Sequence, residues 1–227
     1  MAVGHALIHN EKERKSWEVL IVLPGVKIIP ELTFIACSSV KSIIMADDSV
    51  KMIRQGAFHG CQDLSFVKFS RNLECIRYLA FLCCDSLTSI FIPSSCRKIG
   101  SFAFIHCDEL TIFNVSQHTE VADDALKMTA LYWKIRDVTT TSPNLVAWVK
   151  SINDDDEYAL HRLCSSMDPS EDEIYQLICQ QVGLSTMALK NSIGINPSEY
   201  LASNPYADVD EMKLMKRFVL EKMGEIV

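Results

Sequence analysis

A phenylalanine recurs at Phe34, Phe58, Phe81 and Phe104, in steps of 24, 23 and 23 residues, and its neighbours recur with it. Five residues before it stands Ile29, Ile53, Ile76 or Ile99, and three after it Cys37, Cys61, Cys84 or Cys107. Alanine precedes it in three copies (Ala57, Ala80, Ala103), and Thr33 in the first. Three residues beyond each cysteine comes Val40, Leu64, Leu87 or Leu110. Then follow Ile43, Val67, Ile90 or Phe113, and two further on Met45, Phe69, Ile92 or Val115. So many columns in one register restrict the fold more than any other feature. A unit this short has no second layer against which to bury its apolar face, so it must stack on copies of itself.

Two periodicities lie within each unit. The Ile, Ala-Phe and Cys positions predict one or two helical turns facing inward. The Val67/Phe69 and Ile90/Ile92 alternation predicts a short strand with one face inward, closed by a turn at Pro93, Ser94 and Ser95. Stacked units then share a continuous core and a parallel sheet. Both ends are degraded, as terminal repeats are. Trp17, Leu20 and Val22 fit the strand columns at the start, while Val121, Ala125 and Leu126 echo Ile99, Ala103 and Phe104 one residue early, with Thr129 in the cysteine column.

The pattern resembles the BspA-type leucine-rich repeat family, whose units read I-x-x-x-A-F-x-x-C-x-x-L-x-x-I-x-I-P. The segment from Ile76 to Ile99 is near that consensus, and the resemblance spans roughly Trp17 to Leu131. It implies a curved solenoid with a ligand-facing sheet, in a family whose members are often surface or secreted proteins.

The C-terminal part reads differently. Residues 139–144, polar and containing Pro143, form a linker. Short helices are expected from Leu145, Ala159 and Glu173, with Gly183 ending the last of these. Another should enter at Asn196-Pro197, with Asn as cap and Pro at the first helical position. A final amphipathic helix starts at Asp208, with Glu211 completing a capping box. Leu160-His161, Glu173-Ile174, Gly183 and the run from Gly194 to Leu201 resemble an ankyrin repeat followed by the start of another. The expected fold is therefore an α/β repeat solenoid with short parallel strands, followed by a small all-α ankyrin-like module. The expected boundaries are 1–16 for a flexible tail, 17–138 for the solenoid, 139–144 for the linker and 145–227 for the helical module.

The net charge is −7. Between Trp17 and Leu131 ten basic residues face twelve acidic ones, and from Tyr132 onward nine face fifteen. Neither part has a basic stripe, which argues against nucleic acid as a partner. No run approaches the ~20 apolar residues of a membrane span. Met1 to Asn10 lack the basic and apolar regions of a secretory signal, so an intracellular, cytoplasmic chain with reduced cysteines is expected.

The cysteine ladder, with His59 and His106 beside it, has one member per repeat. A metal site would instead gather its ligands at short spacings, so small buried residues explain the column. His161, Cys164 and Asp168 form a possible cluster, for which a structural histidine in an ankyrin-like turn is the preferred reading. No Gly-rich phosphate loop, HExxH or G-x-S-x-G occurs. Neither catalytic residues nor a cofactor are expected.

The outward strand positions carry the functional expectation. If Val67 and Phe69 point inward, Phe66 and Lys68 point out. The same rule turns out Ile44, Phe91, Ile112 and Asn114. Large apolar residues on a wet face mark a contact surface. Two alternatives remain: the C-terminal helices fold back over this face, or the register is shifted by one. The expected function is a non-enzymatic scaffold or adaptor that binds a protein partner through this face. The competing readings are self-association through the same residues and an enzyme or metalloprotein centred on His161 or the cysteines.

Overall fold

A computed structural model of the chain describes residues 2–3, 17–138, 146, 195–196, 199 and 202–205. The chain separates into two compact units, Met1–Val149 and Lys150–Val227, with the repeats in the first.

Each repeat is one coil with three sides. The first side carries the expected strands, β2 (Val19–Val22), β4 (Ser42–Met45), β6 (Phe66–Lys68), β8 (Ser89–Phe91) and β10 (Ile112–Asn114). All pair in parallel, with Leu20 opposite Ile43, Ile43 opposite Val67, and Ile90 opposite Phe113. The degraded first repeat is therefore a true coil. Ladder hydrogen bonding runs through β2, β4 and β6 and again through β8 and β10, but not between β6 and β8. Two further residues, Ala2–Val3 (β1), pair with Ile21 and Val22. The flexible tail expected over 1–16 is, at these two residues, an added strand, which satisfies the otherwise unpaired edge of β2.

The second side is a parallel sheet that the repeat pattern did not announce. It comprises β3 (Ile28–Ile29), β5 (Met52–Ile53), β7 (Cys75–Ile76), β9 (Lys98–Ile99) and β11 (Glu120–Val121). Ile29, Ile53, Ile76, Ile99 and Val121 stand in one register and face inward.

The third side corrects the expected helical turns. Within 31–36, 55–60, 78–83 and 101–106 the backbone makes paired turns rather than a helix. Each pair places two residues in the left-handed region: Leu32 and Ala36, Gly56 and Gly60, Leu79 and Cys83, Phe102 and His106. That geometry directs every second N–H to the next coil. Leu32, Phe34 and Ala36 donate to the carbonyls of Gln55, Ala57 and His59 at 3.1, 2.8 and 2.7 Å. Phe58 donates to Ala80, and Phe81 to Ala103, both at 2.8 Å. An α-helix would turn these same groups back onto its own carbonyls, leaving adjacent coils unjoined on this side.

The core is the set of columns read from the sequence. Phe34, Phe58, Phe81 and Phe104 are fully buried and stack with centroids 5.1–5.2 Å apart. Each contributes about 1.5–3 kcal/mol by burial, and stacking adds about 0.5–1.5 kcal/mol per pair. Phe69 and Phe113 meet the stack edge-on, so the first sheet and the turn side close on one aromatic column.

At the end of the repeats Thr129 replaces the cysteine. Its Oγ1 donates to the Leu126 carbonyl at 2.8 Å and accepts the Tyr132 N–H at 3.0 Å, capping α1 (Ala130–Val138). In the second unit, Asn196 N–H donates to Glu199 Oε2 at 2.7 Å, and Glu199 N–H donates to Asn196 Oδ1 at 3.0 Å. Asn196 caps as expected at the Asn196-Pro197 entry, and the return bond to Glu199 makes the cap reciprocal. The linker at 139–144, the helices expected from Ala159, Glu173 and Asp208, that from Leu145 apart from Val146, and the cluster of His161, Cys164 and Asp168 lie outside the described residues.

Candidate binding face

The outward positions of the first sheet divide into an open half and a covered half. Phe66 is 36% exposed and Ile44 37%. Ile44 stands opposite both Ile21 and Lys68, and Phe66 opposite Ser42, which is itself opposite Val19. Val19 and Ile21 are exposed too, so four apolar side chains share one open patch over three strands. Lys68 is half-buried at its rim, with Nζ 3.6 Å from Asp47 Oδ1.

Phe91 and Ile112 do not belong to it. They are only 1% and 6% exposed, against the expectation that they face solvent. The register is not at fault, since Ile90, Ile92, Phe113 and Val115 are buried as anticipated. Both faces of β8 and β10 are shielded instead, so three consecutive residues (Ile90, Phe91, Ile92) are buried and alternation no longer tells inside from outside. Asn114, paired with Phe91, is half-buried. The break in ladder bonding between β6 and β8 coincides with the change from open to covered. Val19 and Ile21 were missed although the signal was present: placing Leu20 and Val22 inward turns them out.

The cysteine column has a structural task. Sγ of Cys61, Cys84 and Cys107 donates to the carbonyl of Phe34, Phe58 and Phe81 in the preceding coil, at 3.3, 3.3 and 3.2 Å. Burial pushes the Cys61 thiol up to about 12 and raises Cys84 strongly as well, which keeps both protonated and poor as ligands or nucleophiles. Every described cysteine is free of disulfide bonding. Among the described residues no group of three or more His, Cys, Asp or Glu is placed to hold a metal ion. Nor is any described helix long and apolar enough to cross a membrane.

The BspA type leucine rich repeat region matches residues 27–142, in six copies. The chain belongs to the BspA-type leucine-rich repeat family. Repeats of this family generally serve binding between proteins or to surfaces. Among solved structures the chain is similar to a leucine-rich repeat protein of T. pallidum, at 28% identity over 46% of this chain and 50% of that one, with a TM-score of 0.41. It is also similar to a leucine rich cell surface protein of Faecalibacterium prausnitzii, at 23% identity over 49% of this chain and 31% of that one, TM-score 0.42. A leucine-rich repeat protein of Bacteroides ovatus shares 23% identity over 45% and 32% of the two chains, TM-score 0.38. The chain thus spans a third to a half of the length of these proteins. No curated protein matches it.

Proposed function

We propose that the protein is a non-enzymatic scaffold or adaptor that binds a protein partner through the open half of its first sheet. One observation carries this reading: Val19, Ile21, Ile44 and Phe66 form a contiguous apolar patch on a regular surface, with Lys68 at its edge. Exposed apolar clusters on a rigid frame mark contact sites. Phe91 and Ile112, covered on β8 and β10, are not part of this proposed contact.

The C-terminal segment is, in the same proposal, an ankyrin-like helical module offering a second contact. Its support is the Leu160-His161 and Gly194 to Leu201 pattern together with the reciprocal cap at Asn196 and Glu199. Buried thiols such as Cys61, Cys84 and Cys107, in no disulfide, favour a reducing, intracellular setting.

The test compares the wild type with an Ile44→Glu, Phe66→Glu double variant, both checked for folding by circular dichroism. In affinity capture with crosslinking, the wild type is expected to retain a protein that the variant releases. Equal capture by both overturns the reading. Sedimentation of the pure protein decides the competing one: mass that rises with concentration in the wild type and not in the variant makes the patch a self-association surface.

A further inference from the structure

The second sheet meets the turn side along an open groove of about 650 Å³. Arg54 and Arg77 line it, each directly following an inward isoleucine, and those isoleucines, Ile53 and Ile76, are register partners. The two arginines therefore sit side by side, one strand spacing apart (~4.8 Å). The flanking members of their column are Pro30 and Gly100, which add no charge.

Two lysines at this sheet are neutralised by the adjacent coil. Lys51 pairs with Glu74 at 2.8 Å and Lys98 with Glu120 at 2.7 Å. Arg54 and Arg77 are exposed, and neither forms an ion pair among the described residues. Glu31, also on the groove, pairs with neither. Like charges on neighbouring strands oppose pairing, so stability alone does not account for two uncompensated guanidinium groups here.

The groove has a shaped wall and an open floor. The Tyr78 ring is exposed on one face and held edge-on against Phe102, with centroids 6.1 Å apart. At Gly100 an added Cβ would lie 2.8 Å from the Tyr78 backbone N, so only glycine permits this close approach.

We infer that Arg54 and Arg77 anchor a second binding site, which takes an extended acidic peptide segment of a protein partner. Each guanidinium fork matches one carboxylate in a bidentate pair. Alternate residues of an extended peptide lie on the same side, about 7 Å apart, within reach of two flexible arginines one coil apart. Tyr78 packs against the aliphatic part of the peptide. Nucleic acid fits less well, because Glu74 and Glu120 flank the sheet and the chain carries a charge of −7, which repels a polyanion. For the same reason, capture of an acidic peptide cannot come from bulk attraction. The site lies on another side of the coil from the apolar patch, so each is tested by its own variants.

The probe is a fluorescein-labelled peptide of alternating glutamate and serine, titrated with the full-length chain and followed by anisotropy at low salt. Saturable binding is expected, with none for the matching glutamine–serine peptide. Arg54→Gln, Arg77→Gln should weaken it by about tenfold or more. A control that removes equal charge on the first-sheet side, Lys41→Gln, Arg71→Gln, should change it by less than about twofold. Should the double variant misfold, Arg77→Lys keeps the charge, loses the fork and is expected to weaken binding by about threefold or more. Absence of saturable binding by the wild type, equal losses in both double variants, or binding only of an oligothymidylate probe overturns the inference.

Discussion

At Gly56 and Gly60 the left-handed backbone is occupied by glycine, whereas Leu32, Ala36, Leu79, Cys83, Phe102, His106 and Met128 adopt it with a side chain. A non-glycine residue there is strained by about 1–2 kcal/mol, and the cross-coil hydrogen bonds hold it in place. Ala36→Gly should therefore be neutral or stabilising by up to about 1 kcal/mol, because relief of strain competes with the entropy of the unfolded glycine. Gly56→Ala should destabilise, since its φ is +57° and a Cβ would meet Leu32 Cδ2 at 2.7 Å. Urea melts of the two variants check the opposite signs.

The thiols set a pH dependence at the same scale. Burial pushes Cys61 and Cys96 from 9.0 up to about 12. The unfolded chain then releases these protons before the folded one does. Their contribution is complete below pH 9 and is lost as pH rises through the folded values. The urea midpoint should hold steady from pH 7 to about 8.5 and fall progressively above 9; a midpoint unchanged to pH 11 would contradict burial of these thiols.

Among elements, what could be read in the sequence depended on how many residues reported each one. The first sheet was legible because every coil supplies two inward residues, such as Val67 and Phe69, and four copies agree. The second was not: its strands have two residues, and those preceding the inward ones, Met52, Cys75, Lys98 and Glu120, share no chemistry. The turn side mimicked a helix because the inward isoleucine of the second sheet, the phenylalanine within the paired turn and the cysteine just after it fall at offsets 0, 5 and 8. Its true signature, the left-handed residues, is masked by leucine, phenylalanine and methionine at positions where glycine would have revealed it. The candidate face was half legible. Ile44 and Phe66 follow from alternation, but the burial of Phe91 and Ile112 depends on what covers the other side of the strand, which no local pattern encodes. Phe81→Ala, which removes a ring touching Phe58, Phe69 and Phe104, should cost about 3–5 kcal/mol in chemical denaturation. Thr129→Ala removes both the cap of α1 and the bond to Leu126, and should cost about 0.5–2 kcal/mol.

Over the whole molecule, each coil touches only its neighbours, so stability is close to a sum of coil and interface contributions. Hydrogen exchange should be slowest at Phe58 and Phe81, whose N–H groups are bonded within the middle coils, and faster toward Leu20 and Leu126. Uniform protection along the stack would show that the coils open as one.

The thiol that reaches back to the preceding phenylalanine carbonyl has a consequence for how such a chain can change in length. Each coil presents the same donor behind and the same N–H groups ahead, like identical couplings on a row of carriages. Excising residues 62–84 would bring the third coil's successor onto Cys61 with every coupling still matched, whereas excising a few residues more or fewer would leave mismatched ends. Growth and shortening are thus quantised in whole coils, and a surface built across three strands can be displaced along the axis without being redesigned.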